Sequence, residues 1–387
     1  MGIRAFQAEE IFDEHQIKKE QLLLVQDAYF AGYISPEEAA MRQIPVERFG
    51  GAKILPGLFD SHIHGAVGAD TMDASVASLD AISQYLLSLG TTSWMPTTVT
   101  AELAAIEAAV AAVAAYVPGA DKARVYGCFV EGPYLTAEHG GAHPPAYMRD
   151  LSQSELERLL KAGTVTALAV APEKEGAQEF IRYAVERGIH ISLAHTSASY
   201  EQAVAAIYSG ADAVVHTFCG MTPMHHRSPN LVGAALVCDE VYAELIADGI
   251  HVQKPVMEVL RRCKPQGKLI LVSDAISATG LKDGQYKLGL EAVTVKDGIP
   301  RTGTGSLAGS TTSLLDEVRR VILELGEEPL NAVHMASLNP SRRFGLEAEI
   351  GSIHAGKRAD FIVVDEQYRL REVWKDGKRV SGGGSCK

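Results

Sequence analysis

The chain has 387 residues, of which 47% are hydrophobic and 22% charged, and its formal net charge is −12 at pH 7. This length suits one large domain of about 250–300 residues with a smaller partner. No cluster of basic residues indicates nucleic-acid binding, and no apolar run of about 18 residues free of charge indicates a membrane span. The composition therefore predicts a globular protein that binds neither nucleic acid nor a membrane.

The cysteines and the first residues bear on the cellular compartment. Five cysteines lie at wide spacings and form neither a CxxC pair nor a disulfide framework. The opening sequence MGIRAFQAEEIFDEHQ lacks the basic stretch and apolar core of a signal peptide. We therefore predict a cytoplasmic location. The GGGS before Cys386 predicts a flexible tail.

The two ends of the chain differ from its middle. The stretch QLLLVQDAYF predicts a strand near the beginning, and residues 350–380 contain two more strand patterns, with Asp376 and Gly377 as a hairpin turn. We predict that residues 1–54 and 352–387 form a small β-sandwich domain built from both ends. Residues 55–351 would then form the catalytic domain.

The middle of the chain alternates apolar runs with helical patterns. Helical spacing of apolar residues recurs over 75–89, 102–116, 152–161, 176–187 and 200–209. The strand patterns begin near Lys53, Thr91, Val125, Val165, His190, Ala213, Ala243 and Lys268. Eight buried strands alternating with helices predict an α/β fold, a (β/α)8 TIM barrel. Its active site is expected at the carboxyl ends of the strands.

Five residues at predicted strand ends have metal-binding chemistry. His62 and His64 are two residues apart after the first barrel strand, so both rings point to the same side. A buried hydrogen-bonded pair is the alternative. Glu131 ends a buried run, where a metal or an arginine would offset the cost of burial. With His195 and His216, which end two later strands, these residues supply nitrogen and oxygen donors and leave a position open for water.

Two further features point to catalysis and to an anionic substrate. Asp274 ends the last strand, where its carboxylate could act as general base and then as general acid, or could cap a helix. His225, His226 and Arg227 form a cationic cluster between strands six and seven, which suits a phosphate group or is a solvated loop.

In this order, the residues resemble the amidohydrolase superfamily. The motifs EGPYL, GGAHPP, AHTSASYEQA, HHRSPNLVGAAL, ELIADGIHV, SDAISATGLKDG and LAGSTTSL are similar to N-acetylglucosamine-6-phosphate deacetylases from about Pro56 to Gly356. The resemblance implies hydrolysis of an acetamide on an N-acetylhexosamine 6-phosphate, and a homodimer. It also implies one or two divalent metals, with zinc or iron first and nickel, cobalt or manganese as alternatives.

The resemblance also implies roles for individual residues. Glu131, His195 and His216 match the metal ligands found throughout the family, His62 and His64 match a second metal site, and Asp274 matches the catalytic acid and base. The matching substrate positions are Ala142 and His143 at the sugar, Arg227 at the phosphate, His251 at the acetyl carbonyl, and Leu307, Ala308 and Gly309 around the acetyl group. In relatives the arginine can come from the neighbouring subunit.

The chain departs from the family at Cys219 and Gly220, where an asparagine and an alanine are usual. A thiol donates weakly, so their backbone N–H groups remain as phosphate donors. The stretches GMTPMHHR, TTSWMPTTVT and APEKEGA are also similar to N-acetylgalactosamine-6-phosphate deacetylases, which leaves the sugar open. The competing interpretations are an amidohydrolase with a carboxylated lysine after strand four, where this chain has none, and a non-catalytic sugar-phosphate sensor.

Overall fold

The computed structural model describes residues 2–380. The predicted tail at Cys386 and the last seven residues of the predicted segment 352–387 lie outside the described residues. Within residues 2–380, no helix combines the length and apolar character that crossing a membrane requires.

The N-terminal segment consists of short strands and one helix. Its elements are β1 (Ile3–Gln7), β2 (Glu10–Phe12), β3 (Ile17–Lys18), β4 (Leu22–Gln26), β5 (Tyr29–Ile34), α1 (Pro36–Met41), β6 (Val46–Arg48) and β7 (Lys53–Pro56). The prediction of one strand over QLLLVQDAYF is wrong, because a turn with Asp27 in the left-handed region divides it into the hairpin β4–β5.

Eight parallel strands alternate with helices through the middle of the chain. The elements are β8 (Leu58–Ile63), β9 (Gly65–Ala66), β10 (Ala69–Asp70), α2 (Val76–Ser88), β11 (Thr91–Pro96), α3 (Leu103–Ala115), β12 (Arg124–Val125), β13 (Cys128–Val130), α4 (Gln153–Ala162), β14 (Val165–Val170), α5 (Ala177–Val185), β15 (His190–Leu193), α6 (Tyr200–Tyr208), β16 (Ala211–Val214), α7 (Asn230–Val237), β17 (Tyr242–Leu245), α8 (Lys254–Cys263) and β18 (Leu269–Leu271). Short 3-10 helices lie at Thr71–Asp73, Ala137–His139 and Pro145–Tyr147.

The strands curl into a closed barrel. β8, β11 and β12 pair in parallel, as do β13 to β18 in chain order, and β12 and β13 are two halves of the third barrel strand. The last strand returns to the first, because the N–H of Asp274 donates to the carbonyl of His62 at 3.0 Å and that of His64 to Ala275 at 2.9 Å. The predicted (β/α)8 barrel is confirmed.

The first barrel strand begins later than predicted. The run that starts at Lys53 divides into β7, which belongs to another sheet, and β8, which belongs to the barrel. Gly57 lies between β7 and β8. A side chain at this position would clash with Thr92, because an added Cβ would lie 2.2 Å from Oγ1 of Thr92. The glycine therefore allows β8 to pack closely against β11.

After the barrel strands the chain forms a meander, three helices and the terminal strands. These are β19 (Gly284–Leu288), β20 (Glu291–Lys296), β21 (Ile299–Thr302), α9 (Leu314–Leu323), α10 (Pro329–Met335), α11 (Leu338–Arg343), β22 (Phe361–Val364), β23 (Leu370–Lys375) and β24 (Lys378–Arg379). The antiparallel meander β19–β21 was not predicted from the sequence. The predicted hairpin turn is present between β23 and β24, where Asp376 and Gly377 both have positive φ.

Both chain ends build the small β-sandwich. One sheet has the order β24-β23-β22-β7-β2-β3, and the other has the order β5-β4-β1-β6. Phe6 from the second sheet packs edge-on against Phe361 and Trp374 of the first, with ring centroids 5.1 and 4.9 Å apart. The exact domain boundaries at residues 54/55 and 351/352 stay a prediction. Strand β7 runs across the first of these boundaries.

Candidate active site

Four histidine rings surround one buried carboxylate at the carboxyl ends of the barrel strands. The Oε2 atom of Glu131 lies 3.4 Å from Nε2 of His62 and 3.2 Å from Nε2 of His64. Its Oε1 atom lies 3.3 Å from Nε2 of His195 and 3.4 Å from Nε2 of His216. All five side chains are buried. Each carboxylate oxygen therefore faces two of these four histidines. A fifth ring, His143, places its Nε2 atom 3.4 Å from Oε2, and its Nδ1 accepts from the N–H of Thr100.

The opposite nitrogen of each ring fixes which atom carries the proton. Each Nδ1 lies within 3.2 Å of an oxygen that can only accept: His62 with Glu244 Oε2, His64 with Thr97 O, His195 with His139 O, and His216 with Cys219 O. A neutral ring that donates from Nδ1 has a lone pair on Nε2. When the rings are neutral, as metal binding requires, all four Nε2 lone pairs thus point at the centre of the cluster. Hydrogen bonds from the opposite ring nitrogen orient metal-binding histidines in this way.

Polar atoms at the centre of the cluster lack hydrogen-bond partners, and a bound cation would stabilise them. Nε2 of His62 and Oε1 of Glu131 are buried without a hydrogen-bond partner. Nε2 of His195 and Nε2 of His216 lie 3.2 Å apart with both lone pairs facing inward. Such groups are costly to bury unpaired. The cluster contains two possible metal-binding triads that share Glu131, and their nitrogen and oxygen donors suit a divalent transition metal.

The backbone is strained where these side chains are presented. His195, His216 and Asp274 follow strands β15, β16 and β18 with positive φ of 41°, 25° and 48°. Residues other than glycine rarely adopt this region, and such strain clusters at functional sites. The strained turns direct side chains from three barrel strands into one space.

Two carboxylates beside the cluster differ in what they contact. Oδ1 of Asp274 lies 3.1 Å from Nε2 of His64. Burial raises the pKa of Asp274, but the His64 hydrogen bond and the charge of His62 outweigh it and lower that pKa to about 2. Asp248 instead accepts from Nδ1 of His251 at 2.7 Å. Burial raises the pKa of Asp248, and the contact with His251 lowers it below the ordinary value.

The same balance holds at the centre of the cluster. Burial raises the pKa of Glu131, but the charge of His62 and the hydrogen bonds from the surrounding histidines keep it well below its usual range. Glu131 is therefore a carboxylate, and it can bind a cation through both oxygens.

A cavity of about 380 Å³ opens over the cluster. Predicted site residues that line it are His64, Glu131, Ala142, His143, His195, His216, Cys219, Gly220, His251, Asp274, Leu307 and Gly309. His62 lies buried beside Glu131, and Ala308 is buried within the loop that presents Leu307 and Gly309. The structure thus brings most of the predicted residues to one pocket.

Two predicted residues lie outside the cavity. His226 and Arg227 are exposed on the loop before α7, and Nη1 of Arg227 lies 2.6 Å from Nε2 of His226. Sequence reasoning also missed five lining residues: Glu138, His139, Gly141, Leu288 and Ser306. The first three directly precede Ala142 and could have been included with it, whereas Leu288 belongs to the unpredicted meander.

Replacing Gly309 with alanine is expected to disturb the position of Asp274. Gly309 has φ +59°, and an added Cβ would lie 2.6 Å from the carbonyl oxygen of Asp274. The left-handed backbone alone costs about 1–3 kcal/mol of stability. A displacement of about 1 Å at a reacting group can lower turnover by about 10²-fold.

Thermal unfolding and turnover of Gly309→Ala check this expectation, with Gly305→Ala as the matched control. Gly305 lies in the same loop with φ +90°, and nothing lies within 4 Å of its added Cβ. The control should lose stability and keep turnover. Equal turnover in the two variants would show that a side chain at position 309 does not displace Asp274.

Comparison with known proteins places the chain in a family. The model of the amidohydrolase family matches residues 54–380. The chain belongs to the amidohydrolase family. The N-acetylgalactosamine-6-phosphate deacetylase of Escherichia coli O157:H7 is 40% identical over 350 residues, which are 89% of this chain and 92% of that protein. The N-acetylglucosamine-6-phosphate deacetylase of Vibrio furnissii is 38% identical over 380 residues, covering 97% and 94% of the two chains.

A solved structure agrees with the sequence comparison. A variant of N-acetyl-D-glucosamine-6-phosphate deacetylase from Mycobacterium smegmatis, in complex with N-acetyl-D-glucosamine-6-phosphate, is 29% identical and superposes with a TM-score of 0.92 over 98% of this chain and 100% of that chain. The predicted resemblance and the prediction of a hydrolytic enzyme acting on an amide are confirmed for this amidohydrolase.

Proposed function

We propose that the chain is an N-acetylglucosamine-6-phosphate deacetylase, which hydrolyses the acetamide to acetate and glucosamine 6-phosphate. The observation that carries the proposal is the carboxylate of Glu131 between four inward-facing Nε2 atoms, with Asp274 beside it at the floor of a cavity. The motifs and the two curated relatives support the substrate class.

Glu131, His195 and His216 would hold one divalent metal, and His62 and His64 would share Glu131 around a second. The zinc or iron prediction comes first because imidazole and carboxylate donors suit both, and nickel, cobalt and manganese remain compatible. When bound, a divalent metal supplies a water of lowered pKa and polarises a carbonyl oxygen.

The protein side chains would move the protons. The carboxylate of Asp274 orients the attacking water, accepts its proton and passes that proton to the departing amine. Asp248 accepts from Nδ1 of His251 and so fixes the ring that lines the cavity. In its cationic form the His251 ring carries a second proton on Nε2. That N–H would donate to the acetyl oxygen as negative charge develops there.

The sugar would lie between the loop of Ala142 and His143 and the loop of Leu307, Ala308 and Gly309. Among the described residues that line the cavity, none is lysine or arginine. The expectation that the backbone N–H of Cys219 binds the phosphate is wrong, because this group donates to the carbonyl of His216 at 2.9 Å. The N–H of Gly220 would therefore need a cation from elsewhere to hold a phosphate. Exposed His226 and Arg227 can supply it to a second copy of the chain, which supports the predicted homodimer.

The alternative sugar is N-acetylgalactosamine 6-phosphate. Its specific support is the similarity to the Escherichia coli O157:H7 relative and the replacement of the usual asparagine and alanine by Cys219 and Gly220. These two residues line the cavity. Because the side chain of Cys219 is small and Gly220 has none, they leave room for a sugar hydroxyl in a different position.

The deciding experiment measures acetate release from both N-acetylhexosamine 6-phosphates in parallel, with metal-quantified protein and the unphosphorylated sugars as controls. We expect rapid release from the glucosamine derivative and little from either unphosphorylated sugar. Faster release from the galactosamine derivative would select the alternative. No release from either phosphorylated sugar by metal-loaded protein would reject the proposed substrate class.

A further inference from the structure

The four cluster histidines are not held in the same way. Three of them donate from Nδ1 to backbone carbonyls, whereas His62 donates to a carboxylate, Oε2 of Glu244, at 3.1 Å. Glu244 is fully buried on β17. A buried carboxylate polarises an imidazole more strongly than a carbonyl does and increases its basicity as a ligand. The His62 side of the cluster therefore depends on a buried charge that the His195 side lacks.

A buried arginine compensates this charge. Arg343 ends α11 and is 4% exposed. Its Nη1 donates to Oε1 of Glu244 at 2.9 Å, while Nη2 donates to Oγ of Ser192 at 2.6 Å and to Oδ1 of Asp212 at 3.0 Å. The planar guanidinium thus joins three neighbouring strands of the barrel wall and fixes where Glu244 lies.

We propose that Arg343 and Glu244 are positioning residues for the metal centre. Arg343 fixes the carboxylate of Glu244 through the hydrogen bond from Nη1 to Oε1. Glu244 in turn accepts from Nδ1 of His62 and holds the Nε2 atom of that ring toward Glu131. The inference rests on the proposed role of His62 as a metal ligand. Arg343 and Glu244, which lie outside the substrate cavity, would thus set the metal affinity of the His62–His64 half of the centre. The affinity of the His195–His216 half would not depend on them.

The network is more than an isolated ion pair because one of its members contacts the cluster. Arg343 contacts two carboxylates, Glu244 and Asp212, and Asp212 also lies 2.5 Å from Nδ1 of His190. Of the two carboxylates, Glu244 is the one that accepts from a cluster histidine, so the network acts on the metal centre through His62. A purely structural pair would have no reason to affect one half of the centre more than the other.

Cobalt titration of the metal-free protein tests the proposal, with bound metal counted and visible absorption recorded at each step. Glu244→Gln and Arg343→Lys are expected to lower the affinity of one ion by about 10–100-fold, the range for replacing a residue that holds a metal ligand by a hydrogen bond. The same ion should weaken in His62→Asn. The matched control is Arg342→Lys, because Arg342 is adjacent on α11 and its side chain is 44% exposed.

Thermal unfolding of the metal-free variants separates positioning from loss of the fold. If either single variant does not fold, Glu244→Gln combined with Arg343→Met and Asp212→Asn removes the arginine together with both of its carboxylates. Buried ion pairs tolerate the loss of all partners better than the loss of one. This triple variant should still bind the His62-side ion weakly.

Wild-type affinity at every ion in the folded variants would overturn the proposal, as would metal binding that is unaffected by His62→Asn. Acetate release by the wild type is a separate measurement. If acetate release is absent while the cobalt affinities change as expected, the positioning role is supported and only the proposed substrate is rejected.

Discussion

Replacing Glu131 with glutamine is expected to remove bound metal and to lower acetate release by more than about 10²-fold. The reason is that both oxygens of Glu131 lie within 3.4 Å of histidine Nε2 atoms on either side. Glutamine keeps the size of the side chain but offers one oxygen and no charge. Loss of a central ligand should lower metal affinity by more than the about 10–100-fold that follows when a hydrogen-bond partner of a metal ligand is removed. Metal content per chain and turnover are the measurements.

Glu173→Gln is the matched control for this prediction. Glu173 follows the next barrel strand, but its oxygens accept from Thr136, Thr196 and the backbone of Ser197. This variant should keep its metal. A Glu131→Gln protein with wild-type metal content would show that Glu131 does not hold the ion.

The positions of the candidate ligands were predictable because the barrel strands are buried on both faces. Their apolar runs are continuous, so the residue that interrupts each run marks the carboxyl end of the strand. Glu131, His195 and His216 were located in this way, and the structure brings all three together. The alternation of side chains along a strand likewise placed His62 and His64 on one side.

Features that the sequence did not reveal depend on contacts between distant segments. Glu244 lies inside the apolar run of β17, and its partner Arg343 comes 99 positions later in the chain, so the sequence pattern did not show that the two compensate each other. Leu288 reaches the cavity only through the meander β19–β21, whose alternating polar and apolar residues were not recognised. The exposure of Arg227 also could not be read from its spacing to the ligands.

Replacing Asp274 with asparagine is expected to leave the metal in place and to lower turnover by at least about 10²-fold, a typical contribution of general acid–base catalysis. The carboxylate lies against His64 at the floor of the cavity. Asparagine preserves the shape of the side chain and its carbonyl acceptor, but the amide cannot take a proton from the attacking water. Metal content and acetate release are measured on the same preparation.

The paired measurement separates two roles for Asp274. Turnover lost with metal retained supports the role of proton carrier, whereas loss of both would make Asp274 a ligand. Asp283→Asn is the control, since Asp283 is exposed and accepts from the backbone of Asp297 and Gly298 in the meander. Near-normal turnover of Asp274→Asn would remove Asp274 from the chemistry. His251 would then be the candidate for the proton carrier, because its ring lines the cavity and is oriented by the carboxylate of Asp248.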